Sequence, residues 1–234
     1  MKRLLSLLAL VSGLLLPSCV PSLPATETGT LKDGRARVVF VHGIFQNGNL
    51  SFGLLRHRLE EKGIACYAPS LKPADAHEGM EKLAEQLKAG IDRQYGPKER
   101  ISIVGFSMGG LVARYYLQEL GGAARCDALY TVATPHHGTQ TARFYGGKGS
   151  NELLPGSEFL KNLDQSQDRL GRMPIVSYRS PYDLVILPHD SCVWKRAENV
   201  EVSVLAHPLM TRAAPVVDDI ERRITASLKP AASH

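Results

Sequence analysis

Hydrophobic residues along the chain fall into two recurring patterns, short continuous runs and longer segments with helical spacing. The continuous runs are rich in β-branched residues and bounded by Gly or polar residues, as is typical of strands buried on both faces of a sheet. Six strands are predicted from these runs, at residues 36–43, 64–70, 100–106, 128–135, 173–180 and 199–207. Helices are predicted at residues 51–62 and 78–95, from residue 107 onward, and at residues 214–228.

The alternation of strands and helices predicts the fold class. Parallel strands need crossover connections, and helices in those connections cover both faces of the sheet. We therefore expect one α/β domain over residues 35–230, with a mostly parallel sheet of about six strands and a short cap segment near residues 138–172. A length of 234 residues with 44% apolar content is sufficient for one domain with a sizeable core.

Residues of the types used in catalysis follow the carboxyl ends of the predicted strands. In chain order these are His42-Gly43-Ile44, Ser107, Thr134-Pro135-His136, Asp183 and His207. In open parallel sheets, ligands bind beyond the carboxyl ends of the strands. The shared position of these residues therefore predicts a functional site at that edge of the sheet.

Ser107 lies in the sequence GFSMGG, between a predicted strand and a predicted helix. A G-x-S-x-G pattern in that setting is typical of a nucleophile elbow, a tight strained turn that exposes the serine hydroxyl. Gly105 and Gly109 leave room for the turn, and Gly110 allows the helix to approach the sheet. The alternative is a helix N-cap serine, which does not require the flanking glycines.

A serine nucleophile needs a base, and the base needs a third group that holds its tautomer. In elbow-type enzymes the chain order is Ser, then Asp or Glu, then His. Among the eight histidines, His207 fits best because it ends the last predicted strand and precedes the final helix. His136, His137 and His189 also follow Ser107 but are less well placed.

The candidate acids lie in the sequence SYRSPYDLVILPHDS, which contains Asp183 and Asp190. Asp183 follows the fifth predicted strand by a few residues, so we favour it over Asp190, which lies further along the same loop. Asp164 and Asp168 precede that strand and belong to the predicted cap segment.

Acyl transfer also needs hydrogen-bond donors for the oxyanion that develops on the substrate. One expected donor is the backbone N–H of Met108, directly after the candidate nucleophile. The second is expected from the sequence VHGIF, with the N–H of Ile44 first and that of Phe45 second. His42 is then expected to be structural, with its ring hydrogen-bonded to the loop.

The first 18 residues are predicted to be a signal peptide, because Lys2 and Arg3 precede an apolar stretch too short to span a bilayer. Cys19 in LLLPSCV resembles the lipidated cysteine of bacterial lipoproteins, although Pro17 departs from the small residues usual there. Residues 19–34 are expected to be a polar tether. We expect export to the bacterial cell envelope with a lipid anchor at Cys19, or alternatively simple secretion.

Charge and cysteine content exclude several other functions. The formal net charge is +5, and removal of Lys2 and Arg3 with the leader lowers it to +3, which is too small for nucleic-acid binding. No C-x-x-C pair occurs, so a zinc or redox site is not expected, and no metal or other cofactor is expected. Three cysteines follow Cys19 in the chain: Cys66, Cys126 and Cys192. In an oxidising compartment two of them can form a disulfide and the third stays a free thiol, and the sequence does not decide which.

The sequences VVFVHGIF, GFSMGG, VATPHHGT and SPYDLVILPHDS followed by VLAH resemble those of bacterial lipases and esterases of the α/β-hydrolase fold. The likeness covers about residues 36–226 and is greatest to small, nearly lidless secreted lipases. It implies Ser107 as nucleophile, Asp183 as acid, His207 as base, and Ile44 and Met108 as oxyanion donors. Phe45 and His136 are expected to contribute to substrate binding.

The segment 138–172 is longer than in the smallest lipases. Its apolar residues are expected either to line an acyl groove or to pack the cap onto the body: Phe144, Leu153, Leu154, Phe159, Leu160 and Leu163. We expect a serine carboxylester hydrolase for lipid or small acyl esters. The alternatives are an acyltransferase or thioesterase with the same residues, and a catalytically inactive binding protein of the envelope.

Overall fold

A computed structural model describes residues 36–227 of the chain. The predicted signal peptide, Cys19 and the tether at 19–34 lie outside the described residues. Among the described residues, no helix is both long enough and apolar enough to cross a membrane.

A six-stranded sheet forms the centre of the molecule, and every neighbouring pair of strands is parallel. The strands are β1 (Arg37–Val41), β2 (Ala65–Tyr67), β3 (Ile101–Phe106), β4 (Cys126–Val132), β5 (Ile175–Arg179) and β6 (Glu198–Glu201). Their order is β2-β1-β3-β4-β5-β6. The strand order reverses between β1 and β3, which is where sheets of this kind place their ligands.

Within residues 36–227, six α-helices accompany the sheet: α1 (Gly48–Glu61), α2 (Met80–Tyr95), α3 (Met108–Glu119), α4 (Lys148–Glu152), α5 (Glu158–Gln165) and α6 (Ala214–Ala226). One apolar cluster joins the sheet to α2, α3 and α5. A second cluster joins it to α1 and α6. The two clusters lie on opposite faces, so the predicted α/β architecture with helices on both faces is confirmed.

The predicted cap segment packs mainly against the body of the domain. Leu153, Phe159, Leu160 and Leu163 are buried in the cluster with α2 and α3. The ring of Phe159 stacks on that of Tyr115, with centroids 5.7 Å apart. The apolar residues of α5 therefore extend the core, as the packing alternative predicted, whereas Phe144 is exposed.

The last strand is shorter than the sequence predicts. β6 ends at Glu201 rather than at residue 207, and His207 begins a short 3-10 turn, His207–Thr211. The N–H of Val202 still bonds to the carbonyl of Arg179, where β5 ends. β6 is an edge strand with β5 as its single neighbour, so its ladder stops where β5 gives way to Ser180-Pro181.

All three cysteines of the described residues are free and buried, so the disulfide left open by the sequence does not form. They lie on β2 (Cys66), at the start of β4 (Cys126) and in the turn before β6 (Cys192). Burial raises the pKa of all three thiols, that of Cys126 to about 12. These cysteines therefore remain protonated and serve as small apolar side chains.

Candidate active site

Ser107 occupies a strained turn between β3 and α3. Its backbone angles are φ 53° and ψ −125°, a region that L-residues rarely adopt. Its N–H donates to the carbonyl of Val132 at the end of β4, at 2.8 Å, which helps to fix the turn. The Ser107 side chain thus lies at the carboxyl edge of the sheet, as the elbow pattern predicts.

Two glycines make the close approach of β1, β3 and α3 around this turn sterically allowed. A Cβ atom at Gly109 would lie 2.2 Å from the carbonyl oxygen of Val41, at the end of β1. A Cβ atom at Gly105 would lie 2.6 Å from the Cα atom of Gly110. Both distances are far below van der Waals contact, so any larger residue would push α3 away from the strands.

The structure brings Asp183 and His207 together. Nδ1 of His207 lies 2.6 Å from Oδ2 of Asp183, and both side chains are almost completely buried. The other carboxylate oxygen, Oδ1, accepts the N–H groups of Val185 at 2.8 Å and Ile186 at 3.1 Å. Asp183 therefore has a fixed orientation, with Oδ2 directed at the imidazole.

The pKa of Asp183 reflects a competition between burial and hydrogen bonding. Burial raises the pKa of this carboxyl, whereas the hydrogen bond and the charge of His207, with the two backbone N–H groups, lower it. The effects that lower the pKa are together larger than the effect of burial. The pKa of Asp183 therefore lies below its ordinary value, and the side chain is an anion at neutral pH.

The loop with His207 follows β6, and its imidazole lies next to the turn that carries Ser107. The imidazole packs against the ring of Phe106, the residue before Ser107, with centroids 4.7 Å apart. Ser180 ties this loop to the loop of Asp183, because its hydroxyl donates to the carbonyl of Val204 at 2.7 Å. Ser180 was not among the residues predicted from the sequence, although its position directly after β5 was an available signal.

The two N–H groups expected to bind an oxyanion have no partner within residues 36–227. Neither the N–H of Ile44 nor that of Met108 donates to a group of the described residues. The N–H of Phe45, in contrast, donates to the carbonyl of Ala74 at 2.8 Å. The N–H of Phe45 is therefore not free to bind an oxyanion, and the N–H of Ile44 remains the expected donor.

His42 has the structural position that the sequence predicted for it. Its Nδ1–H donates to the carbonyl of Gly43, and its Nε2 accepts the N–H of Leu71, both at 2.8 Å. Burial lowers the pKa of His42, so the ring stays neutral at neutral pH. The neutral ring braces the loop that carries Ile44.

Of the two residues expected to contact substrate, the structure exposes Phe45 and buries His136. Phe45 is 61% exposed and its ring lies 5.6 Å from that of Tyr145. His136 has no exposed surface; it stacks on Trp194 and lies 3.4 Å from the guanidinium of Arg114. A substrate cannot reach a fully buried ring, so the expectation for His136 is corrected to a structural role.

The alternative acid, Asp190, lies in a 3-10 turn, His189–Cys192, and its side chain is exposed. Asp164 pairs with Arg114, and His137 lies 3.9 Å from Asp164, both away from the Asp183–His207 pair. Within residues 36–227, no group of three or more His, Cys, Asp or Glu side chains is placed to hold a metal ion.

Comparisons with known proteins agree with this architecture. A family model described as alpha/beta hydrolase fold matches residues 36–152. The mature lipase BlEst2 of Bacillus licheniformis superposes with a TM-score of 0.63 at 16% identity, over 83% of this chain and 96% of that one. No curated protein sequence matches the chain.

Two further solved structures are similar in fold. The monoacylglycerol lipase of Paleococcus ferrophilus gives a TM-score of 0.60 at 16% identity, over 86% of this chain and 95% of that one. A thioesterase domain from the curacin biosynthetic pathway gives a TM-score of 0.57 at 14% identity, over 82% and 91%. At these identities the similarity is one of fold.

Proposed function

The chain belongs to the α/β-hydrolase fold family, and from this we propose that it is a serine carboxylester hydrolase with Ser107, His207 and Asp183 as its catalytic residues. The observation that carries the proposal is the buried 2.6 Å hydrogen bond between His207 and Asp183, at the edge of the sheet where Ser107 occupies a strained elbow. A buried anion bonded to an imidazole beside a serine is the arrangement that general-base activation of the serine requires.

In the proposed reaction, Nε2 of His207 takes the proton of the Ser107 hydroxyl as Oγ attacks the carbonyl carbon of the ester. The resulting imidazolium is stabilised by Asp183 and then donates its proton to the leaving alkoxide. An acyl-enzyme remains on Ser107. Water, deprotonated by His207, attacks this acyl group. The bond to Oγ of Ser107 then breaks, His207 returns the proton to Oγ, and the carboxylic acid is released.

The oxyanion of each tetrahedral intermediate is assigned to the N–H groups of Ile44 and Met108. Their lack of a partner among the described residues supports the assignment, because both N–H groups are then free to donate hydrogen bonds to an oxyanion. Met108 is the first residue of α3, so the positive end of the helix dipole adds to the stabilisation.

Lipid-like esters are the proposed substrates, because large hydrophobic side chains are exposed in the connections that follow the carboxyl ends of several strands. Six of the large hydrophobic side chains exposed among residues 36–227 lie in such connections, and Leu50 and Leu54 lie on α1; the six are Phe45, Phe144, Tyr182, Leu184, Leu205 and Leu209. Exposed apolar side chains in these connections favour contact with apolar molecules.

Hydrolysis of p-nitrophenyl esters from acetate to palmitate tests the function and the substrate class together. We expect turnover by the wild-type protein, none above background by Ser107→Ala, and a preference for acyl chains longer than acetate. Wild-type protein without activity on any member of the series would contradict the proposal. Activity on acetate alone would support an esterase but contradict the proposal of lipid-like substrates.

The same acyl-enzyme can form from a thioester, or pass its acyl group to another acceptor, and the fold similarity to a thioesterase domain makes a thioesterase or acyltransferase the second candidate. Product analysis in the presence of an added alcohol or thiol separates hydrolysis from transfer. Free carboxylic acid as the main product supports the hydrolase, and the ester or thioester of the added acceptor supports a transferase.

We also propose that the protein is exported and anchored to the bacterial envelope through Cys19. The basic residues Lys2 and Arg3, the apolar stretch after them and the cysteine at the end of that stretch support this location. We expect the wild-type protein in the membrane fraction and Cys19→Ser in the soluble or unprocessed fraction. A soluble wild-type protein that begins at another residue would contradict the anchor.

A further inference from the structure

Two threonine hydroxyls at the start of the cap segment bind the loop that carries Asp183. The hydroxyl of Thr141 donates to the carbonyl of Val185 at 2.6 Å, and that of Thr139 lies 3.0 Å from the same oxygen. Thr139 Oγ1 also accepts the N–H of Leu187 at 2.9 Å. Both threonine side chains are buried, and the chain between them and Val185 is more than 40 residues long.

The peptide group between Val185 and Ile186 connects these hydroxyls to the carboxylate. Its carbonyl accepts from Thr141, and its N–H, that of Ile186, donates to Oδ1 of Asp183 at 3.1 Å. A peptide whose carbonyl accepts a hydrogen bond is polarised and becomes a stronger N–H donor. The result is a continuous chain from Thr141 through one peptide group and Asp183 to His207.

We propose that Thr139 and Thr141 are positioning residues that hold the carboxylate of Asp183 in line with His207. The inference rests on the proposed function, since it gives Asp183 a catalytic role. Neither threonine touches the imidazole or the serine. They act by fixing the loop 183–187, so that Oδ1 stays on the backbone N–H groups and Oδ2 stays on Nδ1.

The backbone around the threonines is already bonded without their hydroxyls. The N–H of Thr139 donates to the carbonyl of Leu153, and the N–H of Gln140 donates to the carbonyl of Leu187, both at 2.8 Å. An isosteric loss of the Thr141 hydroxyl therefore leaves the segments docked, but removes the shorter of the two bonds that reach the Val185–Ile186 peptide. This separates a positioning effect from a failure to fold.

The test compares Thr141→Val, which removes the hydroxyl, with Thr141→Ser, which keeps it, on hydrolysis of a soluble p-nitrophenyl ester. Thr141→Val is expected to lower kcat about tenfold, or about 1.4 kcal/mol, with KM little changed. Thr141→Ser should stay within about twofold of wild type. Thr139→Val gives a second measurement, and Thr225→Val, a hydroxyl bonded to Glu221 within α6, is the matched control.

The kcat of the double variant Thr141→Val/Asp183→Asn distinguishes a positioning role of the hydroxyl from a merely structural one. If the hydroxyl acts through Asp183, Thr141→Val causes no further loss in the Asp183→Asn protein. An equal loss in both backgrounds, or a Thr141→Val protein with wild-type kcat, would overturn the inference alone. A wild-type kcat for Asp183→Asn itself would instead remove Asp183 from the proposed function, and the inference with it.

Discussion

Asp183 is a buried carboxylate whose ionised form is maintained by three hydrogen bonds. Burial alone would raise its pKa, and the imidazole of His207 with the N–H groups of Val185 and Ile186 reverses that effect. The anion holds Nδ1–H of His207, which leaves Nε2 free to take a proton. The catalytic value of Asp183 in the proposed reaction therefore depends on its charge as well as its position.

Replacement of Asp183 by Asn keeps the size of the side chain and removes the charge. We expect kcat for ester hydrolysis to fall by at least ~10²-fold, because the amide no longer fixes the required tautomer and cannot stabilise the imidazolium. The matched control is Asp190→Asn, an exposed carboxylate of the same loop region, which should stay within a few-fold of wild type. If Asp190→Asn is the impaired protein and Asp183→Asn is active, the acid has been wrongly assigned.

The place of the candidate residues at the edge of the sheet was predictable from sequence, whereas the residues that support them were not. Ser107 and Asp183 each stand next to a strand with a strong hydrophobic pattern, so their place at the edge followed from the strands. Ser180, Thr139 and Thr141 act through hydroxyls whose partners lie 24 to 48 residues away. Single polar residues in loops carry no periodic signal that identifies such partners.

The elbow between β3 and α3 depends on how closely the helix approaches the end of β1. At Gly109 this distance leaves no room for a methyl group, because a Cβ atom would meet the carbonyl oxygens of Val41 and His42 at 2.2 and 2.4 Å. Both obstacles are backbone atoms, so the strain can be relieved only if β1 and α3 move apart.

Gly109→Ala is expected to lower the free energy of unfolding by about 1–3 kcal/mol, the usual cost of overpacking. Hydrolytic activity should fall as well, because the movement separates Ile44 from Met108. Gly146→Ala is the control, since its Cβ atom would meet nothing within 4 Å, and its effect should stay within about 0.5 kcal/mol. Urea denaturation measures the free energy of unfolding of both variants. A Gly109→Ala protein as stable as wild type would show that the elbow tolerates a wider spacing between β1 and α3.

The elements themselves show where a hydrophobic pattern is sufficient and where it fails. β1 and β3 lie inside the sheet, and their continuous apolar runs predicted them within one or two residues of the observed ends. The sixth strand is at the edge, and its length depends on β5 rather than on its own composition. A run of apolar residues predicts burial, but only a neighbouring strand with free N–H and carbonyl groups makes the run a strand.

Two buried histidines link the stability of the whole molecule to pH. Burial lowers the pKa of His42, and burial with the charges of Arg114 and His137 lowers that of His136 well below its usual value. The guanidinium of Arg114 donates to Nδ1 of His136, so Nε2–H is left to bond with Thr131 and Ser177. Both rings are therefore neutral in the folded protein.

The sign of the pH dependence follows from these lowered pKa values. Below about pH 6.5 the histidines of the unfolded chain bind protons that His42 and His136 of the folded chain do not bind. Acidification from pH 6.5 to 5 is therefore expected to lower the free energy of unfolding. In His136→Asn the slope should be shallower by up to about 1.4 kcal/mol per pH unit. Urea denaturation at several pH values measures the slope, and an unchanged slope in the variant would contradict the assignment of a neutral His136.

Across the molecule, the proposed nucleophile and the Asp183–His207 pair lie in connections that follow the carboxyl ends of the strands of one parallel sheet. The opposite faces of that sheet are covered by helices, and the cap segment contributes mostly to the core. The architecture thus leaves the carboxyl edge of the sheet for the proposed chemistry.

Covalent labelling with a fluorophosphonate, followed by peptide mass spectrometry, tests the proposal that Ser107 is the nucleophile. We expect one adduct on the peptide that contains Ser107, no labelling of Ser107→Ala, and unchanged labelling of Ser157→Ala, the N-cap of α5. An adduct on a different serine, or folded wild-type protein that takes up no label, would show that Ser107 is not the nucleophile.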